Sequence, residues 1–486
     1  MQDSEERRAL CEFGGPPFYF FLQGIASSFG QILVKSDLRL ARAWTCTMTG
    51  MRCEEKFITS CLSFRQNAAT IGEKFAGQRL DWQKVLSIVT DQGVAAFLYG
   101  PLSSLKEFPV PGHVIQELRR ISALTTFRNH LVGRTVHVLL RALRTADVPV
   151  LVLKGVALLH TVYKETPGMR DCVDIDLLVN EPNLSRAHQV LVGLGYTPEN
   201  DPLRLDDDAY HLPMYLRQGD PIGVELHFGV ARPDTPFRIE VADLHGRARP
   251  ILTSGETMLV CSPEDMILHG ILHLSFHKEF VLKPLRQLRD LGGIASKEPV
   301  DWDQVCGLAR RYRAERSAYY ALRLARVLLQ APIPEHVLST LRSSIGAWEL
   351  NLFAQVEEEG IYLSHDDPLR LFLQMLLLQI PAYKGPARVQ FLFNVLRHPM
   401  RSSHSAYKLL PSQYRVSQFS PRHVLLVVHL CSKIIGIGLG LILRTIPRIA
   451  TARPAQPTTQ NRHDERGPSG PAKPRSEADG RRSTKG

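Results

Sequence analysis

Apolar side chains recur every three or four positions over residues 113–146, the spacing of one face of a long α-helix, and the pattern stops at Asp147 and Pro149. Upstream, Trp82, Val85, Leu86 and Val89 share a helical face behind Asp81, whose carboxylate can cap the first turn. The same opening returns as Asp301-Trp302-Asp303-Gln304, with Gln304 placed as the reciprocal partner of a capping box. The surrounding segments diverge and no fixed period of about 20 to 50 residues joins them, so these are two helix starts and not a repeat array. Trp82 and Trp302 then read as core anchors.

Between the helical stretches the period changes. VPVLVLKG is a β-branched run closed by Gly155, ALLHTVYK is helical, VDIDLLV alternates as a strand, and NLSRAHQVLVGLGY is a helix ended by glycines. Residues 220–230 supply a further strand, and from Pro263 the pattern is helical, with breaks, to about residue 400. The expected fold is α/β or α+β: a small mixed sheet with helices over residues 145–260, between helical regions at 53–144 and 261–400. Residues 1–52 lack sustained periodicity and form an extension in which Met48 and Met51 are alternative starts. Residues 401–450 are basic and apolar, and 451–486, rich in Pro, Gly, Arg and Ser, should be disordered.

With 486 residues, 44% hydrophobic and 22% charged, the chain is neither a single small module nor a polytopic membrane protein. Its 59 Lys and Arg against 48 Asp and Glu leave a net charge of +11, which favours anionic partners; nucleic acid is among them, although the interleaved aromatics of a single-strand groove are missing. Eight scattered cysteines form no CxxC pair, and the charged N-terminus lacks a signal-peptide cleavage site, so the expected location is the cytoplasm. The apolar stretch 423–443 admits three readings: a buried helix, an interfacial helix, or a membrane span. Lys433 near its centre weighs against the span, while Arg444 and Arg448 suit peripheral contact with an anionic inner membrane face.

The candidate chemistry lies in the strand VDIDLLV. Alternation puts Asp174 and Asp176 on one face and sends Val173, Ile175 and Leu177 into the core. Two carboxylates held side by side repel unless a hard divalent cation lies between them. Glu225 in the apolar strand GVELHF offers a third acid, with His227 on the same face. An amphipathic strand with a wet acidic face is the plainer explanation of the pair alone.

The order of a glycine-ended strand, an acidic pair and a later single acid is similar to that of nucleotidyltransferases of the DNA polymerase β-like superfamily. Within it, LKGVALL, then Arg170 to Val179, then Leu191 to Tyr196, then VELHF resembles the bacterial uncharacterised nucleotidyltransferase family, and the likeness runs from about Glu54 to Pro399. The resemblance implies a polymerase β-like core and transfer of a nucleoside monophosphate from NTP to an acceptor hydroxyl, with release of pyrophosphate. It implies Mg²⁺ (or Mn²⁺) held by Asp174, Asp176 and Glu225 as catalytic and metal-binding residues, and a nucleotide contacted by Lys154, Gly155 and Arg170. The acceptor stays open among a small molecule, a sugar, a protein side chain and an RNA end. One departure from the wider superfamily is that Val156 follows Gly155 where a second small residue is usual. Arg170 has a second reading, a local ion pair with Asp171. His269, His273 and His277 recur at four-residue spacing near one helix face, where they could ligate a metal or touch phosphate, and read first as helix packing and polar-face residues, while Arg286, Arg289 and Asp290 are placed to close the site from the helical side. The rival reading of the whole is an inactive nucleotide-binding or scaffold protein at a membrane surface.

Overall fold

In the computed structural model, residues 53–350 are described, apart from 106–107, 202–208, 234, 277–283 and 348–349. Five helices come first: α1 (Cys53–Cys61), α2 (Ala68–Phe75), α3 (Trp82–Asp91), α4 (Ala95–Ser103) and the 34-residue α5 (Gly112–Thr145). The chain then alternates as β1 (Leu151–Val152), α6 (Lys154–His160), β2 (Asp174–Leu178), α7 (Leu184–Gly193), β3 (Thr197–Pro198), β4 (Tyr215–Arg217) and β5 (Asp220–His227). After α8 (Val241–Gly246) comes the hairpin β6 (Arg249–Thr253) and β7 (Glu256–Val260). The last described helices are α9 (Pro263–Phe276), α10 (Pro284–Lys297), α11 (Trp302–Arg311), α12 (Glu315–Leu329) and α13 (Glu335–Arg342).

The seven strands make one mixed sheet in the order β3-β4-β5-β2-β1-β7-β6. β2 runs parallel to β5 and β1 parallel to β7, while β1 and β2 are antiparallel. Period-two alternation decides what each face meets. Ile175 and Leu177 of β2 and Val224 and Leu226 of β5 are fully buried against Val132, Val136 and Leu139 of α5. Each contributes about 1.5 to 3 kcal/mol by leaving water. Leu151 and Leu178 belong instead to a second apolar cluster, which also takes in Phe57 and Leu98 from the first helices and Leu285, Leu288 and Leu322 from the last. The face of β2 that carries Leu178 also carries Asp174 and Asp176, so the acids look toward the helical side of the molecule.

The caps form as their residue types dictate. Asp81 Oδ1 accepts from Lys84 N at 3.1 Å and Asp301 Oδ1 from Gln304 N at 3.0 Å. The reciprocal half of the capping box is not made by Gln304: the Asp301 N–H donates to Glu264 Oε1 at 2.9 Å, just as Asp81 N–H donates to Glu54 Oε1 at 3.2 Å. A glutamate from a packed neighbouring helix thus replaces the local partner at both starts. Trp82 and Trp302 pack against the helical core, Trp82 with its ring edge-on to Phe57 at 5.6 Å.

Three local expectations are corrected. Gly155 does not close the first strand, because β1 is two residues long and α6 already begins at Lys154. Val173 does not enter the core; it precedes β2 and is 50% exposed. Asp176 is not on a wet face; it is 1% exposed, covered by the helices that pack on that side. Among the described residues no helix is long and apolar enough to cross a membrane. Residues 1–52, 423–443 and 451–486 and the expectations made for them lie outside the described residues.

Candidate functional site

The register of two parallel strands builds the floor of the site. Asp174 pairs with Gly223, Asp176 with Glu225 and Leu178 with His227, so the three acids and His227 rise from adjacent positions on one face. His227 Nε2 lies 2.9 Å from Asp176 Oδ1 and 3.2 Å from Glu225 Oε2, and in the tautomer carrying Nε2–H it donates to both. The sharp turn from β1 into α6 has Lys154 at φ 47°, a left-handed backbone that folds its side chain back over the acids. Lys154 Nζ stands 2.7 Å from Asp176 Oδ1 and 3.8 Å from Glu225 Oε2.

A cavity of about 180 Å³ opens above this floor. Lys154, Gly155, Arg170 and the three acids line it on the strand side; His269 and His273 of α9 and Arg286, Gln287 and Asp290 of α10 line it on the helix side. The carboxylates therefore share a small space with basic side chains, an arrangement suited to a phosphorylated ligand bound with a cation.

Comparison with known proteins then decides the family. A model of the family described as "Uncharacterised nucleotidyltransferase" matches residues 78–330, slightly more than half of the chain. The chain belongs to that family. It is a nucleotidyltransferase, hence a transferase. No curated protein matches it. Among solved structures, the solution structure of the antibiotic-resistance factor ANT(2″)-Ia is similar over 41% of this chain and 96% of its own, at 18% identity and a TM-score of 0.29.

In this nucleotidyltransferase the charges at the floor are tightly balanced. Burial would raise Asp176, but the Lys154 ammonium and the His227 hydrogen bond outweigh it and hold the carboxyl well below the usual range. Burial likewise would lower Lys154, and Asp176 and Glu225 outweigh it to hold the ammonium above its ordinary value. For Glu225, burial again pushes upward while the His227 hydrogen bond brings the net shift down. Asp174, half-buried beside Asp176, is pushed up to about 6, first by burial and then by its neighbour's charge.

Of the three acids expected to hold a metal, Asp176 and Glu225 come together and suit a hard divalent cation; the group whose single ligand atoms all lie within 4.8 Å of one another is Asp176, Glu225 and His227, and Asp174 is not part of it. Asp176 Oδ2 is buried without a hydrogen-bond partner. Lys154 Nζ stands among those atoms, so its ammonium neutralises the same carboxylates that a metal would.

Arg170 lines the cavity, and its guanidinium is already engaged by Asp290, which lines the same cavity from the helix side. Nε lies 3.1 Å and Nη2 3.1 Å from Asp290 Oδ2, Nη1 donates to the Asp171 carbonyl at 3.1 Å, and Tyr163 Oη donates to Asp290 Oδ1 at 2.9 Å. The local pair with Asp171 does not form; Asp171 takes Arg128 instead, at 2.6 Å. Gly155 is required where it stands because a Cβ there would come 2.6 Å from Arg170 Nη1 and 2.8 Å from Cys172 Sγ. Of the residues named on the helical side, Arg286 and Asp290 reach the cavity, whereas Arg289 stacks on Phe64 and faces elsewhere. His269 and His273 line it, which a packing role alone did not anticipate; His277 lies outside the described residues.

Two contributors carried no sequence signal. Asn129 of α5 donates to the carbonyls of Pro167 and Arg170 at 2.6 and 2.7 Å and accepts from Cys172 N–H at 3.1 Å, clamping the loop that enters β2. Cys172 directs its thiol to the Asp174 carbonyl at 3.3 Å, and burial pushes its pKa up to about 12, so it is a neutral spacer and not a nucleophile.

Proposed function

We propose that this chain transfers a nucleoside monophosphate from an NTP to an acceptor hydroxyl, with Mg²⁺ (or Mn²⁺) bound by Asp174, Asp176 and Glu225 and flanked by His227. The observation that carries the reading is the register: Asp176 directly opposite Glu225, Asp174 two residues away on the same face, all under one cavity with a basic far wall. When bound, the cation neutralises charge on the phosphoryl oxygens and lowers the pKa of the acceptor hydroxyl. The acceptor hydroxyl gives up its proton to a site carboxylate or to water, its oxygen bonds to the α-phosphorus as the bond to the bridging oxygen breaks, and pyrophosphate leaves with the electron pair.

The chain's own residues set the geometry for that displacement. Lys154, which lines the cavity and now neutralises Asp176, would place its ammonium against the phosphates if a bound cation took over the carboxylates. Gly155 leaves room for the backbone turn, and Arg170, braced by Asp290, packs against that turn. His269, His273 and Arg286 face the phosphates from the helix side. The acceptor class stays open among a small molecule, a sugar, a protein side chain and an RNA end.

The test is calorimetric titration of each of the four NTPs into the full chain, with and without Mg²⁺, for the wild type and for Asp174→Asn/Asp176→Asn. Metal-dependent binding that is lost in the variant, with its circular dichroism unchanged, is the expected result. Binding that ignores both metal and substitution overturns the assignment of the acids.

A further inference from the structure

A second cavity, of about 370 Å³, lies on the other side of α10, bounded by the turn from α1 into α2 and by α4. It shares no lining residue with the first. Helix α10 separates them: Arg286, Gln287 and Asp290 face the nucleotide cavity, and Arg289 faces this one. Its size falls in the range of small-ligand pockets, about 300 to 1,000 Å³.

Arg289 is the only charged residue that lines it among the described residues. The guanidinium carbon sits 3.8 Å from the ring centroid of Phe64 and 5.5 Å from that of Phe97, and among the described residues no carboxylate or carbonyl accepts a hydrogen bond from it. Those two ring faces stabilise the cation only in part. Burial pulls the guanidinium below its ordinary value and outweighs the opposing influence of Tyr163 and Asp290 nearby. Gln66, which also lines the cavity, buries Oε1 without a hydrogen-bond partner, and the amide turned over would present N–H groups there. The rest of the wall is mixed: Leu62, Ile71, Phe97, Pro101 and Met169 make an apolar part, and Ser63, Asn67 and Ser104 a polar one.

These features define a ligand. A guanidinium resting over the Phe64 ring offers a planar fork that matches a carboxylate. One positive charge calls for one negative charge, which disfavours di- and triphosphates; the absence of a lining acid disfavours cations. The apolar part of the wall calls for an apolar body. We infer that this second cavity binds a small organic monocarboxylate with an apolar body, its carboxylate on Arg289 and Gln66 and its body against Ile71, Phe97 and Met169. The inference is independent of the nucleotide chemistry across α10.

The experiment is calorimetry on the full chain with octanoate, with neutral 1-octanol and with inorganic phosphate as probes. Octanoate is expected to bind at or below about 1 mM, with 1-octanol and phosphate at least about tenfold weaker. Arg289→Met should weaken octanoate about tenfold or more, and Arg289→Lys less, since it keeps the charge but not the fork. Ser104→Trp, at an exposed position on the cavity rim, should block octanoate without touching Arg289, and so gives a second readout if Arg289→Met fails to fold. Equal binding of octanoate and 1-octanol, tighter binding of phosphate, no octanoate binding up to about 10 mM, or unaltered binding in both Arg289→Met and Ser104→Trp would overturn the site.

Discussion

Replacing Arg170 by Met takes the cation from a pair whose side chains are 7% and 4% exposed and leaves the Asp290 carboxylate with only the Tyr163 hydroxyl. At the 3.1 Å separation of Nη2 and Oδ2, the direct attraction is about 5 kcal/mol at an effective dielectric of about 20. Most of that is cancelled by the desolvation of both groups in the intact pair, but the variant keeps the desolvation of Asp290 and loses its compensation. The expected cost is therefore about 3 to 5 kcal/mol. With a urea slope near 3 kcal/mol/M, the midpoint should fall by about 1 to 1.7 M, followed by circular dichroism of the full chain. Arg170→Met/Asp290→Asn removes the stranded charge and keeps an acceptor for Tyr163, so it should recover at least about 2 kcal/mol of the loss. A single variant that loses under about 1 kcal/mol, or a double variant no more stable than the single one, would refute the bracing role. Lost NTP binding at undiminished stability would instead return Arg170 to the phosphates.

Lys154→Met strands Asp176, 1% exposed, without its ammonium and should cost about 3 to 5 kcal/mol in the metal-free protein. Because a cation would occupy the vacated place, Mg²⁺ should raise the melting temperature of Lys154→Met more than that of the wild type; an equal response in a thermal-shift titration counts against mutual exclusion of ammonium and metal. Gly155→Ala pushes a methyl to 2.6 Å from Arg170 Nη1 and 2.8 Å from Cys172 Sγ, so one of them must yield. Overpacking of this kind costs about 1 to 3 kcal/mol, and a urea titration that shows no loss would mean that the turn is looser than its contacts require.

What could be read from the chain alone followed from local rules. Asp81 and Asp301 had to cap because their carboxylates reach the third amide of the helix they precede, and the 34-residue α5 announced itself by its period. Alternation along β2 puts Asp174 and Asp176 on one face, and the same rule sets Glu225 with His227. What alternation cannot supply is the partner across the sheet. That Asp176 meets Glu225 and not Gly223 is a matter of register between strands about fifty positions apart, fixed by how their opposite faces pack on α5. The same limit explains Arg170, whose acid is not the adjacent Asp171 but Asp290, 120 residues on, and Asn129, which clamps a loop some forty residues away.

Lys154 shows the limit most sharply. A lysine beside a glycine at a strand end invites a phosphate role, and what the sequence does not show is that a left-handed backbone at Lys154 also lays its side chain onto the acids. No residue pattern encodes that conformation, because the left-handed region is costly for any residue with a Cβ and is held only by surrounding structure. Here the surroundings are identifiable: the Leu153 N–H donates to the Asp176 carbonyl at 3.0 Å on one side of the turn, and Gly155 lies under Arg170 on the other. The brace at Arg170 and Asp290 and the ammonium at Asp176 are thus two ends of one constraint, joined by the turn at residues 153–155. Loosening the brace should let Lys154 leave the carboxylates, so Arg170→Met is expected to lose part of the protection of Asp176 as well as stability.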